Sequence, residues 1–220
     1  MGIISVEQAD RLYWLGRYTE RVYTTLRMFS KSFDTLIDGI ADSYVDFCKN
    51  IDIPNIYEGK EDFVKRYPFD PEIPDSIISN LNRAYDNAIV LRESIGSECL
   101  AYIQLAIYEM NKASKSKSPM IELQKVNDNL LAFYGIADDR IDSENVRNII
   151  KAGKRIERID MYARLGVEKK ELEREVYRMI PRVERSGLEY DPRRLEEIRK
   201  LVEADILDYY RIVSEVESIF

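Results

Sequence analysis

Apolar or small residues recur at Leu12, Leu15, Thr19, Val22, Leu26, Phe29, Phe33, Leu36 and Ile40, in steps that alternate three and four. A helix turns once per 3.6 residues, so this spacing lines those side chains up along one side. No proline interrupts residues 6–40. The pattern therefore predicts a single helix there, spanning roughly 50 Å at 1.5 Å per residue. Ser5-Val6-Glu7-Gln8 has the form of a capping box, with Ser5 as the N-cap.

The rest of the chain reads the same way, with one interruption. Asn50, Pro54, Gly59, Pro68, Pro71 and Pro74 punctuate residues 41–74, which predicts a long, irregular connection holding one or two short helices. It is too aromatic to be a flexible linker. Asp75 or Ser76 then starts a second long helix to about residue 113, and Lys112–Ser118 forms an exposed turn. Further helices are expected at about 119–138, 144–165, 168–185 and 191–217. Gly166 ends one of them as a left-handed residue, Pro181 bends or divides the next, and Asp191-Pro192 opens the last. No segment alternates strictly as a half-buried strand would. The expectation is an all-α chain, a helical bundle of about five to six helices with long helices 1 and 2, forming a single domain over 1–220.

Composition excludes several functions. The chain has no histidine, so histidine triads, histidine general bases and histidine-bearing metal sites are ruled out. Neither a metal nor a cofactor is expected. Two cysteines, Cys48 and Cys99, lie far apart, which fits a reducing compartment and no disulfide framework. A net charge of −7 argues against a general nucleic-acid binder. No apolar run approaches the ~20 residues that cross a bilayer, and the start of the chain does not read as a signal peptide. A cytoplasmic protein is expected, without nucleic-acid or membrane partners.

Within the helical frame, one pattern occurs twice. Gly16-Arg17-Tyr18-Thr19-Glu20-Arg21, followed by Arg27, matches Gly153-Lys154-Arg155-Ile156-Glu157-Arg158, followed by Arg164. The apolar seam keeps register too, with Leu12/Ile149, Thr19/Ile156 and Val22/Ile159 in equivalent places. This reads as an internal duplication of a helical element. Glycine in a helix interior costs about 1 kcal/mol relative to alanine, so Gly16 and Gly153 need a reason, and close approach of a neighbouring helix or a ligand supplies one. Glu20 and Glu157 are each placed to orient an arginine, from their own helix or from the other copy. Two readings stay open. The motifs form a partly buried network that locks the helix pair, or the glutamates hold arginines such as Arg17, Arg21, Arg155 and Arg158 open for a carboxylate or phosphate. Arg92-Glu93, mid-helix between apolar residues, is a further candidate pair that would partly face the interior. Tyr13 and Trp14 read as core, and Lys169–Arg178 as a solvated helix face.

Tyr13–Arg21, Asn87–Ser94 and Gly153–Arg164, in that order along the chain, resemble the alpha-E family. This is a bacterial all-helical domain of unknown function with a Glu-Arg motif. The resemblance implies genomic company: members occur beside, or fused to, circularly permuted ATP-grasp proteins and transglutaminase-like peptidases. It implies an accessory or binding component of an ATP-grasp-associated system that forms peptide or amide bonds. The expected partner is an ATP-grasp-type ligase or a transglutaminase-like protein, with an anionic peptide or small molecule as ligand. The alternatives are an enzyme with Glu20 or Glu157 as general base between the two motif helices, and a purely structural helical oligomer.

Overall fold

The structure, a computed structural model, describes residues 4–37 and 43–220, of which 31–37 are described by their backbone alone. The chain is all-α, as the sequence predicts, and no strand occurs among the described residues. They form ten helices: α1 (Val6–Ile37), α2 (Ser43–Asn50), α3 (Lys60–Arg66), α4 (Ile77–Val90), α5 (Arg92–Ala113), α6 (Pro119–Arg140), α7 (Glu144–Arg164), α8 (Lys169–Glu184), α9 (Pro192–Glu203) and α10 (Tyr209–Glu217). The expected five to six is thus corrected to ten, for local reasons. The 41–74 connection contains α2 and α3. The expected helix over 75–113 divides at Leu91, and just beyond it Gly96 takes φ 81 and ψ 157, a non-helical conformation open to glycine. The expected last helix also divides. Ala204 leaves helical geometry with ψ 148, and the Asp208 carboxylate then caps α10 by accepting from Arg211 N at 3.1 Å.

Other boundaries follow their sequence signals. Gln8 N donates to Ser5 Oγ at 3.1 Å, and Ser79 N to Ser76 Oγ at 3.1 Å. Gly166, at φ 60, closes α7: Gly166 N donates to Ala163 O and Val167 N to Tyr162 O, the paired bonds of a Schellman motif. Pro181 lies inside an α8 that continues to Glu184. Along the seam of α1, Leu12, Leu15, Val22, Leu26 and Phe29 are buried. The expected seam positions Phe33 and Leu36 are described only by their backbone, and Ile40 lies outside the described residues.

The chain divides into two compact units. One comprises Met1–Glu20 with Ile141–Phe220, the other Arg21–Arg140. In the first, α7 and α8 run antiparallel. Arg182 Nη1 donates to Asn148 Oδ1 at 3.2 Å near one end, and Arg155 pairs with Glu175 farther along. Its core is aliphatic, with Ile156, Ile159, Leu172, Val176, Ile198 and Ile212 all fully buried. In the second unit α5 and α6 form an antiparallel hairpin, tied by Lys112–Glu122 at 3.1 Å beside the turn. Its punctuated segment is held by aromatic rings. Phe63 stacks on Tyr67 with centroids 5.1 Å apart, and Phe29, Phe47 and Tyr57 pack around them.

Candidate functional site

The two motif copies meet within the first unit. Asp10 and Asn145 line one cavity near the starts of α1 and α7, and Glu20 reaches Arg158 farther along both, so the helices run in the same direction where they touch. Gly16 and Gly153 form the contact. A Cβ on Gly16 would stand 2.1 Å from Ile150 O, and one on Gly153 would stand 2.2 Å from Tyr13 O. These contacts are reciprocal: aligning Gly16 with Gly153 also aligns Tyr13 with Ile150. Each glycine therefore lets the other helix's backbone come closer than any side chain would permit. A neighbouring helix, not a ligand, is what the motif glycines accommodate.

The motif charges then cross over. Arg158 donates from Nε to Glu20 Oε1 at 2.6 Å and from Nη2 to Oε2 at 2.9 Å, a bidentate pair. Arg17 donates from Nε to Glu157 Oε2 at 2.6 Å, and its Nη2 lies 3.6 Å from Asp160 Oδ2. Each glutamate takes its arginine from the other copy. Glu20 and Glu157 are wholly buried, and Asp160 and Glu175 are 1% exposed. Buried carboxylates stay ionised only if matched and hydrogen-bonded, and the surrounding cations do this. Arg164 donates to Asp160 at 2.7 Å, and Arg155 and Arg178 both donate to Glu175.

Electrostatics follow from this layout. Burial alone would lower the pKa of Arg17, but Glu157, Tyr13 and Asp160 outweigh it and hold the guanidinium above its ordinary value. Arg158 is raised in the same sense, with Glu20 and Glu175 overcoming burial. Burial pushes the Asp160 carboxyl up, as does neighbouring Glu157. Lys154 goes the other way: burial brings its amine down to about 7, with Glu20 opposing and Arg158 and Arg155 reinforcing the fall. Arg17 also covers the Trp14 ring at 5.0 Å from its centroid, a cation–π contact that gives this half-buried indole a role beyond packing.

The remaining expected residues lie elsewhere. Arg21 and Arg27 belong to the second unit, where the Arg21 charge acts on Tyr67 and Arg27 lies over the Tyr23 ring at 5.6 Å. Arg92 and Glu93 do not face the interior. Both are exposed at the start of α5, and Arg92 Nε donates to Ser97 Oγ at 3.1 Å. The break at Leu91 turns the pair outward. Sequence reasoning missed Asp160, Glu175 and the perturbed Lys154. Glu175 carried a signal, because it stands on the apolar face of α8 between Leu172, Val176 and Met179. Among the described residues, no group of three or more Cys, Asp or Glu side chains is arranged to hold a metal ion, and no helix is long and apolar enough to cross a membrane.

A cavity of about 570 Å³ opens at the N-terminal side of the crossing, and neither Glu20 nor Glu157 lines it. Ala9, Tyr13, Ile149, Leu188 and Phe220 form its apolar surface. Tyr13 and Phe220 meet edge to face with centroids 5.4 Å apart. Gly187, at φ 75, forms part of the wall beside the Asn145 carboxamide.

A helical protein whose paired Gly/Glu/Arg helices clasp one another through buried, exchanged ion pairs is the class this geometry defines. The chain belongs to the Alpha-E family, described as a predicted alpha-helical domain with a conserved ER motif, whose model matches residues 7–190. Both motif Glu-Arg pairs, at 20–21 and 157–158, fall inside that stretch. No curated protein and no solved structure matches the chain.

Proposed function

We propose that this chain is a non-catalytic binding component, accessory to an ATP-grasp-type ligase in a system that forms peptide or amide bonds. Its duplicated motif acts as an internal lock. The observation that carries this reading is the exchange of charges, with Glu20 held by Arg158 and Glu157 by Arg17. A general base must reach a substrate proton. Both glutamates are wholly buried and clasped by guanidinium groups, and backbone meets glycine at the crossing. That arrangement disfavours catalysis by either carboxylate. The reciprocal contacts also support an origin of the pair by duplication.

The surface offered to an anionic partner is the row Arg174, Arg178 and Arg182 on α8, one residue every four and hence about 6 Å apart. The Arg174 and Arg178 side chains are 48% and 52% exposed; Arg174 pairs with Glu171 and lies 3.7 Å from Glu175, to which Arg178 donates. Arg182 bonds Asn148 Oδ1 and, among the described residues, pairs with no carboxylate. Guanidinium groups suit carboxylates and phosphates in such a row. The test is co-purification with an ATP-grasp-type ligase and with a transglutaminase-like protein from the same source. The expected result is a complex that weakens when Arg174, Arg178 and Arg182 are replaced by Glu. Absence of association, together with no binding of an acidic peptide, would overturn the reading.

A further inference from the structure

We propose that the cavity between the starts of α1 and α7 binds a small primary ammonium compound with an aromatic or aliphatic body. The site is independent of the arginine row and of any ligase partner. Its volume, about 570 Å³, falls within the roughly 300–1,000 Å³ typical of small-molecule sites. Its surface divides into two parts that match the two ends of such a ligand. Ala9, Ile149 and Leu188 provide aliphatic walls, and Tyr13 and Phe220 present two rings set at 82° to one another. The Arg17 guanidinium already lies 5.8 Å from the Tyr13 ring centroid, so what the two rings offer a ligand is burial of its apolar body.

The polar part is acidic and unspent. Asp10 and Glu189 both line the cavity. Both are exposed, and neither makes a hydrogen bond or ion pair within the described residues. The Asn145 carboxamide also lines it without a hydrogen-bond partner there, its amide nitrogen 2.8 Å from where a Gly187 Cβ would stand. Two carboxylates and a carboxamide oxygen supply acceptors for the three N–H donors of an ammonium group, and among the described residues no cationic side chain lines the cavity. An anion would meet two uncompensated carboxylates, so the site selects positive charge. A neutral ligand would forgo the charge-assisted bonds, which are about twice as strong as neutral ones.

The experiment titrates the full chain, ¹⁵N-labelled, with phenethylamine, with its neutral counterpart 2-phenylethanol and with 3-phenylpropanoate, following amide shifts. Phenethylamine is expected to move the Gly187, Leu188 and Asn145 signals, and 2-phenylethanol to bind at least about tenfold more weakly. 3-Phenylpropanoate is expected not to bind. The double variant Asp10→Asn/Glu189→Gln alters only exposed side chains, so it should fold and lose phenethylamine affinity by about tenfold or more. The proposal is overturned if phenethylamine leaves these signals unmoved, if the alcohol or the carboxylate binds as tightly, or if the double variant binds the amine undiminished. A larger amine, a peptide N-terminus on Gly-Phe-Gly, is the last arm. If it binds more tightly than phenethylamine, the occupant is a chain end and the small-molecule assignment fails.

Discussion

Glu20 accepts both Nε and Nη2 of Arg158, at 2.6 and 2.9 Å, from 138 residues away in the sequence. Removing one partner of such a buried pair leaves the other charge without compensation, which costs about 3–5 kcal/mol. Glu20→Gln and Glu157→Gln are each expected to lose stability in that range by urea unfolding. Arg27→Gln, whose arginine is exposed over Tyr23, is expected to change little. Equal, small losses for all three would contradict a structural role for the glutamates.

The glycines invert an ordinary rule. Alanine normally favours a helix interior over glycine by about 1 kcal/mol, and Gly135 in α6 has open space around it, so Gly135→Ala is expected to be neutral or mildly stabilising. At Gly16 a Cβ meets the Ile150 carbonyl oxygen at 2.1 Å, and at Gly153 it meets that of Tyr13 at 2.2 Å. Backbone cannot step aside cheaply there, so Gly16→Ala and Gly153→Ala should each lose about 2 kcal/mol or more. Thermal unfolding of the three variants checks the contrast.

Lys154 makes stability depend on pH. Its folded-state value of about 7 lies below the ordinary 10.5, burial being the main cause. The native state therefore binds fewer protons than the unfolded state between those values, and stability rises with pH across that window. The slope from this one group is at most about 1.4 kcal/mol per pH unit. Lys154→Met removes it, so the variant should exceed the wild type in stability near pH 7 and lose that advantage towards pH 10. A gap that stays constant with pH would contradict the assignment.

Cys48 and Cys99 are free and buried, and burial lifts each thiol to about 11. The thiolate is the reactive form. At pH 8 a thiol-specific reagent should modify the native chain more than about a hundredfold more slowly than the urea-unfolded chain. Rapid modification of the native chain would show that the second unit opens readily around them.

What the sequence made legible was periodic and local. The seam of α1, the serine caps at Ser5 and Ser76 and the Gly166 stop all depend on residues within a few positions of one another. The ten-helix division was harder to read. It turns on one backbone angle at Gly96 and on Asp208, an N-cap hidden ahead of two tyrosines. At the site, the spacing of the motif placed Gly, Glu and Arg in one row on each helix. The exchange of partners between rows depends on how two distant helices cross. Asp160 and Glu175 went unnoticed because a carboxylate on an apolar face is read as a mismatch until the arginines opposite it are known. The cavity was invisible for a related reason, since its walls come from α1, the start of α7, the loop at Gly187 and Phe220.

The most direct test of the lock is a double-mutant cycle on Glu20→Gln and Arg158→Met, with stabilities from urea unfolding. The lock predicts a coupling energy of about 1–3 kcal/mol, the double variant losing that much less than the sum of the two single losses. Losses that add within about 0.5 kcal/mol would contradict it.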